Sequence, residues 1–185
     1  MRPNLRPVPS CVVLVGLLGV SCTDRTPAPP APRAAAPAPT DGCGPAVEDQ
    51  IDNVRVAVLE EMMARAARDA AAGPATLGQI VIAEEQRLQP GGQVFVHDAS
   101  PAVAAHFAGR TPPVENYSSA FQMDQGHTVR KENQTAFSTG DICWSSPTRA
   151  MVAARTLTGA GNRRSTAKVE RSGDTWRVTS LEPRR

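Results

Sequence analysis

Histidine and aromatic side chains are scarce in this chain. Of its 185 residues, three are histidine and seven are phenylalanine, tyrosine or tryptophan. The histidines, His97, His106 and His127, match no zinc-ligand spacing and no catalytic-triad signature. The sequence also lacks a glycine-rich phosphate loop and a nucleophile elbow. These absences argue against the enzyme classes that carry a recognisable motif, and we expect neither a metal site nor a cofactor.

The chain has little net charge of either sign. Removing residues 1 to 21, which contain Arg2 and Arg6, leaves 18 basic and 18 acidic residues. Nucleic-acid-binding domains normally carry a basic excess, so we expect no nucleic-acid partner. Residues 46 to 98 hold 9 acidic and 4 basic residues, whereas residues 99 to 185 hold 7 acidic and 12 basic ones. Either the two halves attract each other within one fold, or the basic residues form a patch for anionic lipid or polysaccharide: Arg163, Arg164, Lys168, Arg171, Arg184 and Arg185.

Long apolar runs are missing too. The ten apolar residues 11 to 20 follow a start that contains Arg2 and Arg6 and no acid. A spanning helix needs about 20 apolar residues, so this run is too short to remain in a membrane as protein. The small residues Gly-Val-Ser then precede Cys22. This arrangement is typical of a lipoprotein signal peptide over residues 1 to 21, with Cys22 as the acylated residue.

Two outcomes of export fit the same residues. Gly-Val-Ser also satisfies the pattern of an ordinary signal peptidase, and Gly19 stands where lipoprotein signals usually carry leucine. We therefore expect the protein to be lipid-anchored in the bacterial cell envelope, on the periplasmic side, or secreted if Cys22 is not acylated. Several acyl chains on Cys22 would make the anchorage stable.

Residues 22 to 44 are predicted to form a disordered tether. They contain six prolines among alanines and few side chains that could support a core. In polyproline conformation, at about 3.1 Å per residue, the segment would reach roughly 70 Å. Residues 45 to 185 are long enough for one hydrophobic core and are predicted to form a single globular domain.

Two cysteines remain after export. Cys11 leaves with the signal peptide and Cys22 is the predicted lipid site, so Cys43 and Cys143 are left. In an oxidising compartment they predict a Cys43–Cys143 disulfide, which would support a domain poor in aromatic residues. The alternative is that Cys143 packs as a small apolar residue on a strand while Cys43 stays a free thiol.

The first half of the domain predicts two helices and two strands. An apolar stripe with three- and four-residue spacing predicts a long N-terminal amphipathic helix that ends at Gly73-Pro74. Residues 79 to 83 and 93 to 97 flank a Pro-Gly-Gly turn and predict a hairpin or two successive strands. Ser100-Pro101 begins a short second helix. The stripe consists of Val47, Ile51, Val54, Val58, Met62 and Ala66.

The last third predicts a C-terminal β-meander, and residues 114 to 123 before it fit either a strand or an irregular crossover. Alternating side chains and short turns delimit four strands, at residues 135 to 144, 149 to 157, 166 to 171 and 175 to 181. Trp144 and Trp176 occupy positions that should face the long helix. The predicted fold class is therefore α+β, with the helix packed on a curved antiparallel sheet.

Four segments carry a resemblance to a known group of proteins. They are VRVAVLEEMM at residues 54 to 63, DASPAVAAHFAGRTPPV at 98 to 114, GDICWSSPTRAMV at 140 to 152 and GDTWRV at 173 to 178. They resemble an uncharacterised family of small exported bacterial α+β domains, similar in general shape to the cystatin and nuclear-transport-factor-like (NTF2-like) folds. The resemblance implies no activity. Relatives often carry a cysteine shortly after Pro-Pro-Val, where this chain has Ala120, so their disulfide pattern is not implied here.

A pocket between helix and sheet is the place where a fold of this type could bind a ligand. A histidine and a carboxylate there could act as general base and acid, and the candidates are His97, Asp98, Tyr117 and Asp141. Surface or capping roles account for the same residues.

Two functions of different class follow. The first is a membrane-tethered, non-catalytic envelope lipoprotein module that is structural or binds a protein, lipid or glycan. The second is a small periplasmic enzyme or ligand carrier. A deep pocket lined by at least two histidines would favour the second function, whereas histidines scattered outside a filled core would favour the first.

Overall fold

A 21-residue helix, α1 (Ile51–Ala71), packs against one face of a seven-stranded sheet. The structure is a computed structural model that describes residues 42–73, 77–88, 92–120, 122–124, 127–129, 134–159 and 161–184; for 122–124 and 127–129 it describes the backbone alone. The predicted signal peptide, Cys22 and the tether up to residue 41 lie outside the described residues. The same is true of the turn at residues 89 to 91.

The predicted amphipathic stripe forms the buried side of α1. Val54 and Val58 are completely buried and Met62 nearly so, while Leu59 and Met63 widen the stripe. A single 3₁₀ turn, Glu48–Gln50, precedes the helix. The helix therefore begins about fifty residues into the chain, so it is N-terminal only with respect to the described part.

The sheet is mostly antiparallel and open. Its main path runs β2-β1-β6-β7-β8-β9, and β3 pairs with the first half of β1. These strands are β1 (Ile80–Arg87), β2 (Val94–Asp98), β3 (Val114–Asn116), β6 (Thr135–Ser146), β7 (Arg149–Thr158), β8 (Gly161–Ser172) and β9 (Thr175–Pro183). The other elements are α2 (Pro101–Phe107), α3 (Tyr117–Ala120), and the separate antiparallel pair β4 (Gln122–Asp124) and β5 (His127–Val129).

Most of the predicted elements are confirmed. β1 and β2 pair as an antiparallel hairpin, and β6 to β9 form the β-meander. Ser100 caps α2, since its hydroxyl oxygen accepts a hydrogen bond from the Val103 amide at 3.2 Å. Residues 114 to 123 turn out to combine both predicted alternatives, because a short strand is followed by one turn of helix and a second strand.

Two details of the predicted sheet are wrong. β1 runs parallel to β3 and to β6, so the sheet is mixed. The long connection between β2 and β6 makes this possible, because parallel neighbours need a crossover whereas hairpins do not. β8 also begins at Gly161, five residues before the predicted start at residue 166. Its first residues are polar on both faces, so the alternation that marks a half-buried strand is missing there.

Tryptophan side chains join the sheet to the helix. Trp144 on β6 and Trp176 on β9 are 2% and 5% exposed, and their rings meet edge to face with centroids 5.6 Å apart. The indole N–H of Trp176 donates to the Gln50 side-chain oxygen at the start of α1, at 2.9 Å. The predicted inward orientation of both tryptophans is confirmed.

A disulfide fastens the segment before α1 to the sheet. The structure pairs Cys43 with Cys143 on β6, with their Cα atoms 5.0 Å apart. The next residue, Gly44, donates its amide proton to the Trp144 carbonyl oxygen at 2.6 Å. Any Cβ at Gly44 would lie 3.2 Å from that oxygen, so glycine permits this close approach. Residues 43 and 44 therefore lie directly against β6.

Candidate functional site

A cleft of about 380 Å³ lies between the start of α1 and strands β1, β2 and β6. The side chains that give it chemical character are Ile51, Arg55, Glu84, His97, Asp141 and Trp144. Its volume falls within the range of about 300–1,000 Å³ that small-molecule sites occupy. We call it the helix–sheet cleft.

The structure brings together two of the four residues predicted for such a pocket. His97 and Asp141 both line the helix–sheet cleft. Asp98 lies elsewhere and fastens α3 to the end of β2, since its carboxylate accepts hydrogen bonds from the Ser118 amide and hydroxyl, both at 2.6 Å. Tyr117 packs against the small buried cluster of Val81 and Ala120. A capping role thus accounts for Asp98, and a packing role for Tyr117.

The strongest electrostatic feature of the helix–sheet cleft is a buried ion pair that sequence analysis missed. The Glu84 side chain is 7% exposed and its carboxylate lies 2.6 Å from the Arg55 guanidinium, which is 20% exposed. The other Glu84 oxygen accepts from the Ser100 amide at 2.8 Å. The one available signal was the position of Glu84 at the end of the apolar run Ile-Val-Ile-Ala, where a charge requires a partner.

A second carboxylate at the cleft is also paired. Glu85 accepts a hydrogen bond from the Ser138 hydroxyl at 2.7 Å and lies 3.1 Å from the Arg155 guanidinium. The Nε of Arg155 donates in turn to the Asn162 side-chain oxygen at 2.8 Å. Both glutamates in the cleft therefore serve as ion-pair partners, and neither is placed as an uncompensated general base.

The described histidines have separate local roles. The His97 ring is exposed, and its Nδ1 lies 2.9 Å from the Asp98 carbonyl oxygen. Since a carbonyl only accepts, Nδ1 carries the proton and Nε2 is the acceptor when the ring is neutral. His106 lies on α2 and donates to the Glu60 carboxylate at 2.9 Å, away from the helix–sheet cleft. The His127 side chain lies outside the described residues.

The Glu60 carboxylate has a perturbed pKa. Partial burial raises this pKa, but hydrogen bonds from His106 and Arg110, together with their positive charge, outweigh the effect and hold the pKa below its usual value. His106 links α2 to Glu60 on α1, and Arg110, three residues after the end of α2, lies 2.6 Å from the same carboxylate. About two-fifths of each side chain is exposed, so solvent screens this cluster.

The basic patch was one of two alternatives, and its five described residues do not lie on one surface. Strand alternation sends Arg163 and Arg164 to opposite faces of β8, because side chains of successive strand residues point to opposite sides. Lys168 pairs with Glu182 at 2.9 Å, and Arg171 pairs with Asp174 at 3.4 Å. Arg185 lies outside the described residues.

None of the helices in the described ranges is both long and apolar enough to cross a membrane. Among the described side chains, no three of the histidine, cysteine, aspartate and glutamate residues converge as metal ligands.

The buried ion pair leads to a stability prediction. Replacing Glu84 with glutamine should lower the free energy of unfolding by about 2–4 kcal/mol, because it leaves the Arg55 charge poorly solvated in the helix–sheet cleft. The partial exposure of Arg55 keeps the loss below the upper end for fully buried pairs. Urea unfolding followed by circular dichroism measures it.

Glu60→Gln is the matched control for Glu84→Gln. It removes the same charge from an exposed pair and should cost less than about 1 kcal/mol. An equal loss of unfolding free energy in the two variants would show that the buried Glu84–Arg55 pair contributes no more to stability than the exposed Glu60 pair.

The comparisons with known proteins define no family. No family model matches the chain, and no match is found among the curated proteins or the solved structures. The fold and the site therefore define the class only as an α+β domain with one long helix on a seven-stranded, mostly antiparallel sheet.

Proposed function

We propose that this chain is an exported lipoprotein of the bacterial cell envelope, in which a tethered α+β domain performs a binding or structural task without catalysis. Acylated Cys22 anchors the chain on the periplasmic side, and residues 23 to 41 link the anchor to the domain. The proposal extends to the resemblance: the domain belongs with small exported bacterial domains in which a helix covers a curved sheet, as in cystatin-like and NTF2-like shapes.

The observation that carries this proposal is the Cys43–Cys143 disulfide. Structural disulfides persist in oxidising compartments and are rare in the cytosol, so the bridge is compatible with export. The bridge also lies where the proposed tether meets the domain. A pull on the tether would reach β6, the central strand of the sheet, without first unwinding α1.

The state of the polar groups in the helix–sheet cleft supports binding over catalysis. Glu84 and Glu85 are engaged with Arg55 and Arg155, and among the described residues no carboxylate lies within 4.0 Å of the His97 ring to pair with it as a catalytic partner. General acid–base catalysis requires a group that is free to exchange a proton with the substrate. Here the Arg55–Glu84 pair joins α1 to β1, and the Arg155–Glu85 pair joins β7 to β1.

The alternative function, a small periplasmic enzyme or ligand carrier, relies on the size of the helix–sheet cleft. A cleft of about 380 Å³ beside Trp144 could hold a small polar molecule. A compound that raises the melting temperature of wild type but not of His97→Ala would favour this alternative over the binding module.

Metabolic labelling tests the lipid anchor. Labelled palmitate should be incorporated into wild type and lost in Cys22→Ala, because the thiol of Cys22 is the proposed acylation site. Cys11→Ala is the matched control, since it removes a cysteine from the apolar run and should keep the label. Equal labelling of wild type and Cys22→Ala would contradict the anchor, and an unlabelled but exported wild type would indicate simple secretion.

A further inference from the structure

Three arginines form a row across the sheet face that points away from α1. Arg155 on β7 lies directly opposite Arg164 on β8. The amide of Arg184, which follows β9, donates to the Arg164 carbonyl oxygen at 2.9 Å, so Arg184 continues the row beyond β8. Ala154, the neighbour of Arg155, is buried in the core with α1. Successive strand side chains point to opposite faces, so the row lies on the outer face. We call these three residues the arginine row.

The arginine row places like charges side by side. Like charges at directly opposite positions of neighbouring strands repel each other and destabilise a sheet. Glu85 offsets part of the repulsion, since it lies 3.1 Å from Arg155. By contrast, among the described residues no carboxylate lies within 4.0 Å of the guanidinium groups of Arg164 or Arg184. The protein therefore supplies no anion for two of the three arginines.

The arginine row lines a small second cleft on the outer face, which we call the arginine cleft. Four guanidinium groups and two carboxylates line it, which leaves a local excess of two positive charges. Arg87, like Arg164 and Arg184, is exposed. The charged residues of the cleft are Arg87, Arg155, Arg164, Arg184, Glu85 and Asp141. Convergent cations without internal partners raise the local concentration of anions.

The size and charge of the arginine cleft determine which anion fits it. Its volume is about 50 Å³, against about 380 Å³ for the helix–sheet cleft, so it suits one compact group. A phosphate group carries about −1.5 to −2 charges at neutral pH, which matches the local excess, whereas a carboxylate carries one. Planar guanidinium groups also bind phosphate oxygens through paired N–H donors. Size, charge and donor geometry therefore favour a phosphate group.

We propose that the arginine cleft binds a compact phosphate group, either inorganic phosphate or the terminal phosphate of a monoester whose remainder lies outside the cleft. The inference names a ligand for the binding task proposed above and rests on that task, but it does not depend on the lipid anchor. Bound phosphate supplies the counter-charge that Arg164 and Arg184 lack. It therefore relieves the repulsion within the arginine row and stabilises the sheet there.

Phosphate titration of the full chain tests the proposal. Cys22→Ala is used as the background so that no acyl chain requires detergent. Inorganic phosphate at low ionic strength should shift the arginine Nε–H resonances and raise the melting temperature. Arg164→Gln/Arg184→Gln should weaken the phosphate affinity at least about tenfold, because it removes two guanidinium groups that have no carboxylate partner.

A charge-matched control separates the cleft from general attraction. Arg163→Gln/Arg177→Gln also removes two positive charges, but neither residue lines the arginine cleft. Solvent and salt screen charges outside the cleft, so this variant should lose no more than about twofold in phosphate affinity. Equal weakening in the two double variants would overturn the cleft as a site.

Melting without phosphate tests the repulsion within the arginine row. Arg164→Gln/Arg184→Gln should melt no lower than wild type in phosphate-free buffer, because the charges that it removes repel one another. The same measurement verifies that the variant is folded. A melting temperature well below that of wild type would give these arginines a structural role and contradict the proposal.

Other anions identify the ligand class. Acetate should bind at least about tenfold more weakly than inorganic phosphate, because it carries a single charge. Equal affinity for the two would overturn the preference for phosphate, and no response to either would overturn the site. Methyl phosphate distinguishes the two sources: binding as tight as that of inorganic phosphate supports a monoester ligand, and exclusion supports the free ion. Palmitate labelling does not involve the cleft, so failure of either experiment leaves the other conclusion intact.

Discussion

Replacing Cys143 with serine should lower the free energy of unfolding by about 3–5 kcal/mol. The bridge closes a loop with a sequence separation of 100 residues. The chain-entropy model gives about 4.7 kcal/mol for a loop of roughly this length. For a domain of this size the loss corresponds to a fall in melting temperature of roughly 10–15 °C. Thermal and urea unfolding of protein purified under non-reducing conditions measures both quantities.

Control variants test whether the missing disulfide, and not the serine side chain, causes the loss of stability. Cys43→Ser should destabilise the domain as much as Cys143→Ser, and the double variant should be no worse than either single variant, because one covalent bond is lost in all three. Reductant should lower the stability of wild type only. Intact-mass measurement provides the direct check: two alkylatable thiols in envelope-purified wild type before reduction would show that the bridge is absent.

Replacing Trp144 with alanine should cost about 3–5 kcal/mol. Its side chain is 2% exposed and fills the junction of β6, β9 and α1, so truncation removes apolar burial and leaves a cavity. The edge-to-face contact with Trp176 is lost as well, which is worth about 0.5–1.5 kcal/mol in such pairs. Urea unfolding monitored by circular dichroism gives the difference from wild type.

Phe95→Ala is the control for the loss of an aromatic ring. Phe95 is 46% exposed, so its truncation should change stability by no more than about 0.5 kcal/mol. A similar small change for Trp144→Ala would place Trp144 outside the core. Native tryptophan fluorescence offers an independent check, since emission typical of full exposure would contradict the burial of Trp144 and Trp176.

The sequence alone determined the features that depend on residues close to one another along the chain. The apolar stripe of α1, the cap at Ser100 and the alternation in β6, in the second half of β8 and in β9 are local patterns, and their burial follows once one side of each element is covered. The sequence also predicted the Cys43–Cys143 pairing, on the expectation that export removes Cys11 and that acylation uses Cys22, and the structure contains this pair. These features required no knowledge of which strands are neighbours.

Only the tertiary structure decided what lies beside what. The parallel pairing of β1 with β6, the burial of Glu84 against Arg55 and the separation of Asp98 from the helix–sheet cleft all join residues that are distant in sequence. Which residues become neighbours depends on how all the helices and strands pack together to bury their apolar surfaces. The local sequence preferences of a single helix or strand do not determine that packing.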